Sequence, residues 1–383
     1  MGGIESFTKN LASALTKKNC AVTVVTNDTN SCGAGFSYEG GVRVLRLPCI
    51  SLINTRLPLP SPSLKRTSLL KELHGTCFDG VVVNARFYPH SLLGMRFAKA
   101  NALRPIVIEH GSSYLAFGSP IADEAARHYE RIITRIGKRY EPLYFGVSRN
   151  SAEWLKEFSI EAEGVIHNSI DAQEYRSIAA DRKWRDELGI DNDTVLLVYA
   201  GRLLPEKGLP VLLDSLKRIE DSGLRVMLAI AGEGKLSDLA RKSESKSCRY
   251  LGCLDRGELS ALLRDADCLC LPTTYPEGLP TVLLEAAVQN TAILVSNCAG
   301  AKEVVPDDSF GLVLDDISPN SLSNAITRFA LDRNYLESCK KSVSARVSME
   351  FSWDNTAEEL AKLIASGAVR AYRATGDSYV QPS

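Results

Sequence analysis

Along the chain, short runs rich in Val, Ile and Leu alternate with stretches in which apolar residues recur every three or four positions. The first pattern fits β-strands and the second amphipathic helices, and their alternation predicts parallel sheets covered by helices. Strand-like runs fall at 21–26, 42–47, 80–84, 105–109, 143–147 and 164–167 in the first half, and at 195–200, 225–231, 267–271, 292–296 and 311–314 in the second. Helical periodicity is clear at 6–17, 209–219, 257–263, 281–289 and 321–329. A polar stretch at 168–183 separates one β/α series from the next. The expected architecture is α/β, with two doubly wound domains facing a central cleft: an amino-terminal domain over 1–168 and a second over 169–352. Residues 353–372 are expected to form a helix crossing back to the first domain, and the polar residues 373–383 to fray. In such sheets ligands sit beyond the carboxyl ends of the strands, so the cleft is the expected site.

Two local features stand out against this pattern. The chain opens Met1-Gly2-Gly3-Ile4-Glu5 and runs directly into helical periodicity. A doubly wound domain normally starts with a strand followed by a glycine turn; here the turn is present without the strand, and the amino-terminal sheet is expected to lack its first member. Pro58, Pro60 and Pro62, spaced two apart, predict an extended loop rather than a core element.

Composition narrows the class. The 383 residues are 45% hydrophobic and 24% charged, the balance of an ordinary globular protein of more than one domain. No apolar run approaches the roughly 18 residues of a spanning helix, and no basic-then-apolar leader opens the chain. The expectation is a cytoplasmic protein, peripheral at most to the inner face of a membrane. The ten cysteines contain no C-x-x-C pair; Cys20, Cys49, Cys268, Cys270 and Cys298 lie in or beside apolar runs and read as reduced, small hydrophobes. The net charge of −1 conceals a split, since residues 1–160 carry 20 basic side chains against 12 acidic ones. That half is expected to face something anionic.

The chemistry concentrates in Tyr275-Pro276-Glu277-Gly278-Leu279-Pro280-Thr281-Val282-Leu283-Leu284-Glu285. Two glutamates eight positions apart would lie roughly 80° from each other around one helix, which fits a carboxylate pair on a single face poorly. The pattern places Glu277 on the lip of a turn and Glu285 a turn below it, with Thr281 expected to cap the helix between them. Free N–H groups at that helix start attract phosphate, and the carboxylates can accept hydrogen bonds from hydroxyls. After the strand 195–200 comes Gly201-Arg202-Leu203-Leu204-Pro205-Glu206-Lys207-Gly208, whose two cations can clamp a diphosphate. His110, at the end of the strand-like run 105–109, is a further site candidate. His167, at the domain junction, reads as a turn anchor.

These segments, with Gly2-Gly3-Ile4-Glu5, Glu109-His110-Gly111, Val147-Ser148, His167-Asn168-Ser169-Ile170-Asp171, Gly232-Glu233-Gly234 and Leu251-Gly252, together resemble glycosyltransferase family four, whose members have the GT-B fold. Each motif is weak alone; their order and spacing across nearly the whole chain are specific. The resemblance implies a retaining transfer of a hexose from a nucleotide diphosphate sugar to a glycan or lipid-linked acceptor, in cell-surface polysaccharide or glycolipid synthesis. It further implies that Arg202 and Lys207 contact the donor diphosphate, Glu277 and His110 the hexose, and Glu285 the ribose. The N–H groups of Gly278, Thr281 and Val282 would meet phosphate, Cys253 and Leu254 the base, and Gly2 and Gly3 would line the approach to the sugar. No cofactor or metal is implied, and no D-x-D pair is expected beside a strand end, in keeping with a metal-free site.

Other readings fare worse. Gly232-Glu233-Gly234 lacks the third glycine of a dinucleotide-binding turn, and no G-x-x-x-x-G-K-[ST] phosphate loop is present. A nucleotide-sugar epimerase would need more acid/base carboxylates in the first half, and a non-catalytic nucleotide-sugar-binding relative remains the non-enzymatic alternative. No nucleic-acid partner is expected. Arg127, Arg131, Arg135 and Arg139 recur every four residues beside Ile132, Ile133 and Ile136. Such a stripe fits peripheral contact with an anionic membrane, or a surface helix paired to Asp123, Glu124 and Glu130.

Overall fold

The computed structural model describes residues 3–370, except 30, 31, 53–56, 116, 118, 221 and 299. The first half carries β1 (Thr23–Asn27), β2 (Gly35–Glu39), β3 (Val42–Leu47), β4 (Cys49–Leu52), β5 (Leu57–Pro60), β6 (Val82–Asn84), β7 (Ile106–Glu109), β8 (Leu143–Gly146) and β9 (Gly164–Val165). The second carries β10 (Val195–Ala200), β11 (Val226–Ala231), β12 (Cys248–Gly252), β13 (Cys268–Leu271), β14 (Ala292–Ser296) and β15 (Leu312–Leu314). Helices cover the connections in both halves.

The second half is one parallel sheet in the order β12-β11-β10-β13-β14-β15. Its central strands are buried along their whole length, which is why they read as continuous apolar runs rather than alternating ones. Alternate side chains serve opposite faces. Leu196, Val198 and Leu269 pack with Leu283 and Leu284 on one side, while Leu197, Tyr199 and Cys268 pack with Leu209, Leu212 and Phe329 on the other. The chain leaves β10 toward β11 on one side and later returns to β13 on the other. This reversal opens a crevice at the carboxyl ends of β10 and β13, the strands that lead into Arg202 and Glu277.

In the first half the strands form separate sheets. β6-β7-β8-β9 is fully parallel, and β1-β3-β2 has β1 parallel and β2 antiparallel to β3. Among the described residues no strand joins β1 to β6. The carbonyl of Val25 on β1 is met instead by His90 Nε2 at 3.0 Å. The proline-rich segment expected as a loop is a correction: β5 pairs antiparallel with β4, from Cys49 opposite Pro60 to Leu52 opposite Leu57. A two-stranded ribbon is all edge, so proline costs it little of its ladder.

The halves are stitched by the terminal helix Trp353–Ala365, which packs back on the opening helix Gly3–Lys17. Phe7 and Trp353 meet edge to face with centroids 5.4 Å apart, in one apolar cluster with Leu11, Ile108 and Leu360. Residues 371–383, including the expected frayed tail, lie outside the described residues.

Cys248, Cys268, Cys270 and Cys339 are buried thiols, and Cys20, Cys49 and Cys298 are partly buried, as their apolar surroundings in the sequence suggest. The expected absence of D-x-D pairs beside strand ends is corrected: Asp191/Asp193 and Asp265/Asp267 stand at the amino ends of β10 and β13, the edge away from the crevice. Arg225 holds the first pair, and Arg264 and Arg185 bind the members of the second. Of the six basic residues between 40 and 71, Arg43 and Arg46 are tied to Glu72 and Glu39, which removes part of the expected anion-facing charge. No helix among the described residues is long and apolar enough to cross a membrane.

Candidate functional site

The loops leaving β10 and β13 place the predicted cations and glutamate together. Lys207, in the turn Pro205–Lys207, forms an ion pair with Glu277, and both side chains are mostly buried. Arg202 is exposed, with no side-chain partner among the described residues. The two loops are also tied through their backbones, with Thr274 N donating to Glu206 O at 2.9 Å. A diphosphate entering here would meet one free guanidinium and one ammonium already engaged by a carboxylate.

The helix Thr281–Val288 begins at this point and buries Leu283, Leu284 and Ala286 beneath it. Thr281 does not cap it, contrary to expectation. Pro280 occupies the cap position without a side-chain bond, and Thr281 is the first helical residue. The early N–H groups therefore keep no side-chain acceptor, which suits them to phosphate. Glu285 lies one turn in, among Tyr175 and Arg256, and burial pushes its carboxyl up to about 7 against the opposing pull of Arg256. Leu254 packs into the same apolar cluster as Val282 and Tyr175, and Cys253 beside it is exposed. This end of the crevice combines an apolar wall with a carboxylate, a pairing that could take a base and a ribose.

The first half closes the other side. His110 follows β7, and its loop is organised from below by buried charges. Arg86 bridges Glu109 and Glu130 at 2.6 Å each, and all three side chains are about 1% exposed. The second oxygen of Glu109 accepts from His110 N and Gly111 N, and that of Glu130 from Leu115 N at 2.8 Å. One guanidinium thus fixes two carboxylates that in turn hold the loop. Its tip crosses the cleft, where Ser113 Oγ donates to Tyr275 OH at 2.6 Å and Tyr275 OH donates to the Tyr114 carbonyl. Gly278 lies so close that a Cβ there would stand 2.7 Å from His110 O and 2.9 Å from Ser151 Oγ. Only glycine allows that approach.

His167 is also a correction. It does not anchor a turn: its Nε2 meets Glu303 Oε2 at 2.8 Å, and Glu303 Oε1 accepts from Arg149 N at 2.7 Å. This nearly buried carboxylate joins the two halves beside the site. Sequence reasoning passed over Glu303, Ser113 and Arg86, and gave Tyr275 no role of its own. Their partners lie from 23 to 162 positions away, so no local spacing marked them. Gly3 starts the first helix and is exposed, and Gly2 lies outside the described residues.

The arginine stripe lies on the helix Pro120–Lys138 and its cap Arg139. Arg127 pairs with Glu124, and Arg131 with Glu157 and Tyr114. Glu130 is taken by Arg86, and Asp123 accepts from Phe117 N, so neither serves the stripe. Arg135 and Arg139 have no side-chain partner among the described residues and share their exposed surface with Ile121 and Ile132.

The raised Glu285 carboxyl has a measurable consequence. An ionised carboxylate accepts from two hydroxyls, whereas the acid, present below about pH 7, offers fewer acceptor sites. Affinity for a nucleotide diphosphate sugar, whose phosphates do not titrate in this range, should therefore fall as pH drops through 7. Glu285→Gln should bind more weakly at pH 8 and show no such slope. Calorimetric titration between pH 6 and 8 checks this, and a pH-independent wild type would contradict the ribose assignment.

Comparison with known proteins agrees with the geometry. A profile described as Glycosyltransferase Family 4 matches residues 1–174, and one described as Glycosyl transferases group 1 matches residues 180–346. A GDP-mannose-dependent alpha-(1-6)-phosphatidylinositol monomannoside mannosyltransferase of Mycobacterium tuberculosis is 25% identical over 95% of this chain and 94% of its own. An uncharacterised glycosyltransferase of Methanocaldococcus jannaschii is 23% identical over 85% of this chain and 84% of its own. Among solved structures, Anabaena HepE in complex with UDP and glucose superposes with a TM-score of 0.68 at 18% identity, covering 95% of this chain and 96% of that one. Sucrose-phosphate synthase of Thermosynechococcus elongatus gives 0.69 at 18% identity, covering 95% and 93%. The chain belongs to glycosyltransferase family 4 and has the GT-B fold, two Rossmann-like α/β halves facing a cleft.

Proposed function

We propose that this glycosyltransferase moves a hexose, with retention of configuration and without a divalent metal, from a nucleotide diphosphate sugar to a glycan or lipid-linked acceptor. The observation that carries the reading is the meeting of Arg202, Lys207 and Glu277 at the strand-order reversal, over the open N-terminus of the helix Thr281–Val288. Relatives that use GDP-mannose or were crystallised with UDP and a hexose support a donor of this class. A lipopolysaccharide N-acetylglucosaminetransferase of Salmonella typhimurium, 27% identical over 54% of this chain and 58% of its own, supports a role in surface glycan synthesis.

In this reading donor binding exchanges partners. Lys207 leaves Glu277 for the diphosphate, joined by Arg202, and Glu277 turns its oxygens to the hexose hydroxyls. As the bond between the anomeric carbon and the phosphate oxygen breaks, the electron pair stays on the diphosphate, where the two cations stabilise it. The acceptor hydroxyl bonds to the anomeric carbon on the same face, and its proton passes to the departing phosphate. Positive charge fixed in the protein does the work that a metal ion does elsewhere.

The partly apolar, cationic face around Arg135, Arg139, Ile121 and Ile132 is proposed to rest on an anionic bilayer, which would bring a lipid-linked acceptor to the cleft. Each basic residue near such a surface contributes about 1 kcal/mol. Arg135→Glu with Arg139→Glu should weaken binding to phosphatidylserine vesicles roughly tenfold or more, as should raised salt. Binding indifferent to both would leave the stripe an ordinary solvated face.

For the chemistry, Arg202→Ala and Glu277→Gln should each lower kcat/KM by about two orders of magnitude or more, the scale of losing one group that stabilises developing charge. Glu277→Gln frees Lys207, so it should bind nucleoside diphosphate at least as tightly as the parent while losing transfer. Transfer should persist in excess EDTA. Near-normal turnover in both variants would remove the site assignment, and loss in EDTA restored by Mn²⁺ would show that the diphosphate is held by a metal.

A further inference from the structure

Behind the cleft, three side chains form a relay that ends on His110. Thr8 Oγ1 lies 2.8 Å from the Ile4 carbonyl, Asn84 Nδ2 lies 2.9 Å from Thr8 Oγ1, and Asn84 Oδ1 lies 2.9 Å from His110 Nε2. The direction of every proton follows from the far end. A main-chain carbonyl can only accept, so the Thr8 hydroxyl donates its single proton to Ile4. Thr8 then offers Asn84 nothing but lone pairs, which turns the amide nitrogen toward Thr8 and the amide oxygen toward His110. An oxygen facing Nε2 requires the imidazole proton on Nε2. Amide and imidazole orientations are usually ambiguous between equivalent fits; here the backbone carbonyl removes the ambiguity.

The remaining nitrogen, Nδ1, therefore carries a bare lone pair and has no partner among the described residues. Protonation does not fill it, because burial holds the imidazole pKa down to about 3. The ring is fixed in place by Phe7, which meets it edge to face with centroids 4.7 Å apart.

We propose that Thr8 and Asn84 are positioning residues that lock His110 in its Nε2–H tautomer, so that the cleft is offered a hydrogen-bond acceptor selective for a hydroxyl of the donor sugar. This rests on the reading above that His110 faces the hexose. A sugar lacking that hydroxyl, or presenting a carbonyl there, leaves the lone pair unmatched and is discriminated against. The opposite tautomer would present a donor and blur the distinction.

The tautomer can be read without turnover. In the full chain labelled with ¹⁵N-histidine, long-range proton–nitrogen correlation spectra should show His110 protonated at Nε2 and bare at Nδ1 from pH 6 to 8. Thr8→Val keeps the shape but removes the acceptor that orients Asn84, so the amide can flip and both tautomers should appear. Its kcat/KM should fall roughly tenfold, and Thr8→Ser should restore the single tautomer and the rate. If Thr8→Val does not fold, Asn84→Leu is read in the same way. A wild-type proton on Nδ1, or a variant with an unchanged tautomer, overturns the relay. A variant whose tautomer shifts while transfer and sugar selectivity stay normal overturns the functional half of the proposal and leaves the site at Arg202, Lys207 and Glu277 in place.

Discussion

The molecule depends on how closely its two halves approach at Gly278. The donor-side loop lies against the His110 carbonyl and Ser151 with no room for a methyl group. Gly300, with φ of 57°, lies behind Gly278 and would itself clash with its carbonyl if it carried a Cβ. Around this contact stand the Ser113–Tyr275 hydrogen bond on one side and Glu303 with His167 and Arg149 on the other. A parallel sheet supplies residues only at the carboxyl ends of its strands, so neither half alone can surround a substrate. The contact at Gly278 sets the loop that carries Glu277, with its partner Lys207, against the loop that carries His110.

The electrostatics follow the same division. In the second half Lys207 is paired with Glu277, and Arg202 has no side-chain partner among the described residues. The first half holds charges that do not move. Arg86, Glu109 and Glu130 are sealed from water, and breaking such a cluster by removing one partner typically costs about 3–5 kcal/mol. The sealed cluster lies under the His110 loop, and the more accessible pair lies at the crevice.

Much of this was legible in the sequence because it is local. The continuous apolar strands of the second half, the helix after Pro280 and the cations following β10 each carry their own pattern, and their meeting follows from parallel topology. What was missed is long-range or polar. β2 is half exposed and lacks an apolar run, and β5 hides behind prolines. Thr281 was expected to cap its helix by type, whereas the helix begins one residue earlier than that requires and leaves Pro280 at the cap. His167, Glu303, Tyr275 and Arg86 acquire meaning only through partners far along the chain, where spacing carries no signal.

The most direct test is to put the missing methyl group at the contact. Gly278 has no left-handed backbone requirement, so Gly278→Ala acts through crowding against His110 O and Ser151 Oγ rather than through local strain. Transfer and nucleotide-sugar binding should be measured side by side in this variant. Transfer should fall by about 100-fold, the scale of a displacement near one ångström, while binding to the second half changes by less than roughly tenfold. Transfer at the parent rate would contradict the claim that the close approach of the halves makes the site.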